Sequence, residues 1–282
     1  MKKIALINDL SGFGKCSLTA AIPVISVLGI QACPLPTAIL SAQTGFPEYY
    51  CDDYTDKMNY FTDKWANMQV SFDGIYSGYL GSAAQMHNVL YFLEKFHTKN
   101  TLYLADPVMG DNGERIRIFT PELLNNMKEL TKHADIITPN LTELCLLADT
   151  DYLLLTSHAA GSDYTHYIED TAHKLLRQTR KKQTILVTGI IRSTTEQTFM
   201  GNLAVAADKS FYLEMPFTGD SFSGTGDLIA SVIAGSLING LTIEDALKKA
   251  ITFLQPAIEE ASRSHIPANH GICFEKYLNL LL

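Results

Sequence analysis

Short, nearly continuous apolar runs alternate along this chain with longer segments in which apolar residues return every three or four positions. The runs at 3–8, 72–77, 101–106, 135–138 and 184–188 are rich in Ile, Val, Leu, Phe and Tyr and predict strands. Few polar residues interrupt them, so they are expected to be buried on both faces, as the strands of a parallel sheet are. Amphipathic segments at 15–28, 83–96, 121–132 and 164–180 supply the crossover helices that parallel strands need. Later, 198–205 and 210–215 predict an antiparallel hairpin turning at Asp208-Lys209. Two helices close the chain: 228–238, apolar nearly all round and hence buried, and 243 to about 261, opened by Thr242 with Asp245 three residues on. The alternation predicts an α/β fold, three-layered and doubly wound around a mostly parallel sheet. No linker-like stretch divides residues 1–282, which are read as a single domain.

Composition narrows the function classes. A net charge of −8 speaks against a general nucleic-acid surface, which needs a basic stripe. The densest basic cluster, 177–182, reads as the solvated end of a helix. Five scattered cysteines without a Cys-x-x-Cys pair suggest neither a disulfide framework nor a zinc site, and fit a reducing cytoplasm. Lys2-Lys3 before Ile4 imitates a signal peptide, but Asn8 and Asp9 end the apolar run after four residues, and no later run is long enough to span a bilayer.

Polar residues follow each predicted strand: Asn8-Asp9-Leu10-Ser11-Gly12, Gly78-Tyr79, Asp106-Pro107-Val108-Met109-Gly110-Asp111, Thr138-Pro139-Asn140 and Thr188-Gly189. Ligands of open α/β sheets bind outside the carboxyl ends of the strands, so these residues are expected to converge on one cleft. Ser223-Gly224-Thr225-Gly226-Asp227 then runs straight into the apolar helix. A helix start leaves backbone N–H groups unpaired and carries partial positive charge, which suits a phosphate. Gly224 and Gly226 let backbone approach the anion, and Thr225 adds a hydroxyl donor. Asp227 would repel a phosphoryl group unless it accepts a proton from an attacking hydroxyl; the rival reading is a plain first-turn carboxylate.

Asp106 and Asp111, five residues apart at a strand end, are costly there unless they meet a cation, and Mg2+ with nucleotide phosphates is the obvious one. Asn140 is placed to cap a helix. Glu143, one turn in, can reach the same metal region, although the helix dipole alone also favours it. Thr44-Gly45 and Tyr79 offer a hydroxyl and a ring. The first glycine-rich turn is not a Walker A loop, because Asp9 stands where glycine is needed and Cys16 where Ser or Thr is needed.

Gly-Thr-Gly-Asp at 224–227, Asn-x-x-Glu at 140–143, Asp-Pro-Val-Met-Gly-Asp at 106–111 and Val187-Thr188-Gly189 resemble, over essentially the whole length, the ribokinase-like superfamily. Thr44-Gly45-Phe46, Ser77-Gly78-Tyr79-Leu80 and Ile137-Thr138-Pro139-Asn140 resemble its vitamin B6 kinase branch. The resemblance implies ATP-dependent phosphorylation of the 5′-hydroxymethyl group of pyridoxal, pyridoxamine or pyridoxine by a cytoplasmic homodimer. It implies Asp227 as base and the amides of Gly224, Thr225 and Gly226 as the anion hole. Asp106, Asp111, Thr138 and Glu143 would lie around Mg2+, with a place for a monovalent cation, K+ or Na+. Asp106, Asn140, Thr188, Gly189 and Thr225 would meet ATP, and Thr44 and Tyr79 would border the pyridine ring. Asp9 or Ser11 would meet the ring hydroxyl or nitrogen. The short Asp9 to Gly12 loop resembles instead the hydroxymethylpyrimidine kinases of thiamine synthesis, the nearest alternative. A non-catalytic B6-binding regulator is the alternative of another class.

Overall fold

A computed structural model describes every residue except those at positions 160, 162, 180 and 218. Position 180, at the end of the expected 164–180 helix and inside the basic cluster, therefore lies outside the described residues. In chain order the elements are β1 (Lys3–Ser11), α1 (Ser17–Val27), β2 (Gln31–Leu40), β3 (Cys51–Asp53), α2 (Thr55–Asn67), β4 (Gly74–Ser77), α3 (Ala83–Phe96) and β5 (Leu102–Ala105). Next come β6 (Gly110–Asp111), β7 (Glu114–Arg115), α4 (Pro121–Thr131), β8 (Ile136–Ile137), α5 (Leu141–Ala148), α6 (Tyr152–Thr156), α7 (Tyr164–Leu176), β9 (Thr184–Ser193), β10 (Thr198–Val205) and β11 (Ser210–Pro216). The chain ends with α8 (Thr225–Ile238), α9 (Ile243–Arg263) and two 3-10 segments, Ala268–His270 and Phe274–Leu281. These elements gather into two compact units, one of Met1–Leu104 with Asp220–Leu282, the other of Ala105–Gly219.

In the first unit β1 is central, parallel to β2 on one side and to β4 on the other. Ile4, Ala5, Leu6 and Ile7 of β1 are each 0% exposed, as an uninterrupted apolar run requires when both faces are covered. Burial of each large side chain among them contributes about 1.5–3 kcal/mol. α8 is apolar on every side because it is enclosed, packing on α1, α9 and β4. Two close approaches show how tightly: a Cβ on Gly235 would lie 2.5 Å from Leu28 Cδ1, and one on Gly74 would lie 2.3 Å from Ile238 Cδ1. α2 and α3 share an aromatic cluster with the loop before β4, in which Phe72 and Phe92 each meet Phe96 at 5.2 and 4.6 Å between ring centres.

In the second unit β8 and β9 are parallel, and β9, β10 and β11 form an antiparallel meander whose hairpin lies where the turn residues predict it. β9 outruns the expected 184–188 because it continues through a bulge: Ile190 pairs with Gly201 and Val187 with Leu203, leaving Thr188 and Gly189 opposite Asn202 alone. Gly189 has φ 68°, a left-handed value that glycine adopts without penalty. α7 ends at Leu176, four residues short of the expected end, with Arg177 as its C-cap.

The strand β2 and the helix α2 escape the hydrophobic pattern. Pro34 and Pro36 argue against a strand, but β3 covers only Ala38 to Leu40, so the proline-bearing stretch has an open outer edge where no donor is needed. α2 is a polar surface helix with only Met58 and Thr62 buried, so its apolar stripe is too thin to read.

Candidate active site

The helix start predicted at Gly224 is present. Gly224 is the N-cap of α8 at φ 83°, and no side chain caps the helix, so the first-turn amides of Thr225, Gly226 and Asp227 have no partner within it. A Cβ on Gly224 would stand 2.1 Å from the Lys15 carbonyl oxygen, whereas one on Gly226 would meet nothing within 4 Å. The first glycine is therefore needed for packing, and the second leaves open space beside the amides. The expected hydroxyl donor requires correction: Thr225 Oγ1 gives its proton to the Phe222 carbonyl at 3.0 Å, closing the turn, so its amide is the group left for an anion.

Asp227 is half-buried. Its Oδ1 accepts from Asn8 Nδ2 at 3.2 Å and from the Tyr76 hydroxyl at 3.3 Å, and the Ser17 amide donates to the same carboxylate. Burial pushes its pKa up to about 6, the nearby Asp9 charge adds to the rise, and the three donors oppose it. The result is a carboxylate held in one orientation, ionised at neutral pH and basic enough to receive a proton.

Asp9 and Ser11 are 6% and 0% exposed. The Asp9 carboxylate accepts from Ser11 Oγ at 2.7 Å and from Ser17 Oγ at 2.6 Å. Thr44 is exposed in a turn organised by Gln43, whose Oε1 accepts from the Gly45 amide at 2.6 Å. Gln43 Nε2 in turn donates to the Asn269 carbonyl at 3.0 Å and to Ser223 Oγ at 3.3 Å, tying this turn to the residue before Gly224. Tyr79 is partly buried, its amide bonds Asn8 Oδ1 at 2.9 Å, and burial pushes its phenol up to about 12. Asn8, Tyr76 and Gln43 escape the motif reading; only the position of Asn8 at a strand end beside Asp9 hints at its part.

A second cluster lies wholly within Ala105–Gly219. Asp106 is 8% exposed and accepts from Thr138 Oγ1 at 3.0 Å. Glu143, 4% exposed, takes the Met109 amide on Oε1 at 3.0 Å and the Asn140 amide on Oε2 at 2.8 Å. Asn140 Oδ1 accepts from the Glu143 amide at 3.0 Å, completing a reciprocal capping box, so capping accounts for Glu143 as well as Asn140. Asn140 Nδ2 also donates to the Gly110 carbonyl at 2.8 Å and fixes the β6 and β7 hairpin. Asp111 is exposed at the tip, accepting from the Asn112 amide at 2.9 Å. Thr188 is joined to the same region by its amide, which donates to the Pro139 carbonyl at 3.0 Å, and a Cβ on Gly189 would meet nothing within 4 Å.

Burial raises the Glu143 pKa well above the ordinary carboxylate range, and the Asp106 charge raises it further. A cation beside these two buried carboxylates would relieve their mutual repulsion. The oxygens buried here, the Asp106 and Glu143 carboxylates and the Thr138 hydroxyl, are hard donors of the kind that suits Mg2+. Among the described residues no three His, Cys, Asp or Glu side chains are gathered closely enough to hold a metal by themselves.

The architecture is the three-layer α/β/α fold with a large, mostly parallel sheet. A Bacteroides thetaiotaomicron protein, provisionally described as a phosphomethylpyrimidine kinase, superposes with a TM-score of 0.91 at 36% identity, covering 99% of this chain and 93% of that one. An orthorhombic form of the same description, solved with pyridoxal, gives a TM-score of 0.88 at 36% identity, covering 99% and 95%. The pyridoxal kinase of Lactobacillus plantarum gives 0.87 at 26% identity, covering 100% and 97%. The pyridoxal kinase of Dictyostelium discoideum is 26% identical over 270 residues, 90% of this chain and 84% of its own. The phosphomethylpyrimidine kinase family model matches residues 18–272, and the chain belongs to that family.

Proposed function

We propose that this protein transfers the γ-phosphoryl group of ATP to the 5′-hydroxymethyl group of a B6 vitamer, pyridoxal, pyridoxamine or pyridoxine. The observation that carries this reading is Asp227 in the first turn of α8, hydrogen-bonded and tuned to about pKa 6 beside amides that have no helical partner. The names of the relatives supply the substrate class: pyridoxal kinases in Dictyostelium and Lactobacillus, and a Bacteroides relative solved with pyridoxal.

Asp227 orients the substrate hydroxyl and accepts its proton as the oxygen bonds to the γ-phosphorus. The bond from that phosphorus to the β,γ-bridging oxygen breaks, and ADP leaves. The amides from Gly224 to Asp227 receive the equatorial oxygens of the moving phosphoryl group. Asp106, Asp111, Thr138 and Glu143 line the region that would hold Mg2+, directly or through water, and the ion would neutralise charge on the nucleotide phosphates. Asn140, Thr188 and Gly189 meet the nucleotide, and Gly189 and Gly226 leave backbone open where phosphates must approach. Thr44 and Tyr79 border the ring. A cytoplasmic homodimer completes the reading; the five free cysteines fit a reducing compartment.

Hydroxymethylpyrimidine is the second reading, favoured by the family description and by the short loop at 9–12. An ATP-coupled assay with Mg2+ and equal concentrations of pyridoxal, pyridoxamine, pyridoxine and hydroxymethylpyrimidine separates the two. The B6 reading expects the highest kcat/KM with a B6 vitamer. A more than tenfold preference for the pyrimidine overturns it in favour of the second reading, and binding of pyridoxal without ATP consumption overturns catalysis altogether.

A further inference from the structure

Asn8 is 1% exposed, and its side-chain amide makes three hydrogen bonds around Asp227. Nδ2 donates to the base; Oδ1 accepts from the Asp9 amide at 3.0 Å and from the Tyr79 amide at 2.9 Å. It thereby locks the ends of β1 and β4 to one carboxylate. Its seat exists because residue 78 has no side chain: a Cβ on Gly78 would stand 2.2 Å from Asn8 Nδ2 and 2.5 Å from Asn8 Cγ. The φ of Gly78 is not in the left-handed region, so backbone conformation does not demand glycine here; space for Asn8 does.

The third donor to Asp227 is also built with care. Lys15 and Ser17 have φ 29° and 51°, left-handed values that side-chain-bearing residues rarely adopt and that cost on the order of 1–3 kcal/mol each. Asp9 holds Ser17 in that conformation by accepting its hydroxyl proton at 2.6 Å, which aims the Ser17 amide at Asp227. Both Asp9 oxygens are engaged inside the protein, one by Ser11 and one by Ser17.

We propose that Asn8 is the positioning residue of the base, that residue 78 is glycine to make room for it, and that Asp9 serves the base through Ser17 instead of contacting the ring. This rests on the reading of Asp227 as the base. The groups that face Asp227 are Asp9 from β1, Tyr76 from β4 and Cys16 ahead of α1. Burial first, and then the Asp227 and Asp9 charges, push the Cys16 thiol up to about 12, so it stays neutral across the working range.

The test is the pH profile of kcat with pyridoxal and saturating Mg2+-ATP for Asn8→Ala, Gly78→Ala, Asp9→Asn and the parent. A titration of carboxyl 13C shifts in the folded protein reads the Asp227 pKa without turnover. Removing a donor to an ionised carboxylate favours the protonated form. Asn8→Ala and Gly78→Ala are therefore expected to move the acid limb and the Asp227 titration upward by about one pH unit. Their kcat falls about ten- to a hundredfold, and KM for pyridoxal changes less. Asp9→Asn removes a like charge while keeping groups that can bond both serines, so the limb moves downward. An unmoved limb in Asn8→Ala overturns the proposal, and that variant carries the test if Gly78→Ala fails to fold. A large rise in KM for pyridoxal with an unmoved limb in Asp9→Asn makes Asp9 a ring ligand. If Asp227→Asn itself retains turnover, the base reading fails; if it is inactive while the limbs stay fixed, only the positioning role fails.

Discussion

Gly224 and Lys15 meet so closely that the Lys15 carbonyl oxygen lies 2.1 Å from where a Gly224 side chain would begin. Two turns, a strained one before α1 and a glycine-bearing one before α8, are thereby pressed together, and the amides at the start of α8 are fixed by the contact. Gly226, two residues on, has free space instead.

The two glycines should respond oppositely in stability. Gly224→Ala forces a left-handed φ of 83° on alanine, about 1–2 kcal/mol, before the clash is counted. Its Tm should fall by at least about 2–4 °C. Gly226→Ala replaces an exposed helical glycine and should keep or raise stability, by up to about 1 kcal/mol of helix propensity, so Tm does not fall. Yet its methyl projects into the space beside the amides, so kcat/KM should fall at least about tenfold with fold intact. Thermal melts paired with turnover check both; equal stability losses in the two variants contradict this distinction.

The pH dependence of the parent enzyme has a defined direction. Asp227 must be ionised to accept a proton, and its pKa is raised from the ordinary carboxylate value to about 6. Turnover should therefore be full above that value and fall tenfold per unit below it, as a single protonation requires. A profile of kcat from pH 5 to 8, with ATP and pyridoxal saturating, should place the limb near 6. A flat profile down to the ordinary carboxylate range assigns proton transfer elsewhere.

Glu143 joins structure and metal binding. Both of its oxygens accept backbone amides, so in Glu143→Gln one N–H faces the new side-chain NH2 and goes unsatisfied, costing about 1–3 kcal/mol. Without Mg2+ the variant should melt below the parent. Adding Mg2+ and ADP should raise the Tm of the parent, which gains a counter-ion for Asp106 and Glu143, and raise that of the variant far less. Differential scanning fluorimetry with and without the ions decides; an equal ligand-induced gain in both proteins removes Glu143 from the metal region.

The strands were legible where burial leaves an apolar run, as in Ile4 to Ile7, and the helices where one face alone is buried. β2 was hidden by Pro34 and Pro36, whose missing donors cost nothing at an open edge, and α2 by a surface face too polar to announce itself. In the site, Gly224 to Asp227 and Asn140 to Glu143 declare themselves because local chemistry, a helix start and a cap, dictates their spacing. Asn8, Tyr76 and Gln43 do not, because their roles come from partners far away in sequence: Asn8 bonds a residue 219 positions on and Gln43 one 180 positions on. No periodicity encodes such a meeting. Thr225 illustrates the converse error, since its hydroxyl looked free in sequence and is bound to Phe222 in the fold.

The most direct measurement is the kcat of Asp227→Asn with Mg2+-ATP and pyridoxal, alongside a melt that verifies folding. Asparagine keeps the shape and can still bond its neighbours but cannot receive the substrate proton. Turnover is predicted to fall by about a hundred- to ten-thousandfold with the fold retained. A folded variant that phosphorylates pyridoxal at the parent rate would contradict the assignment of Asp227 as the base.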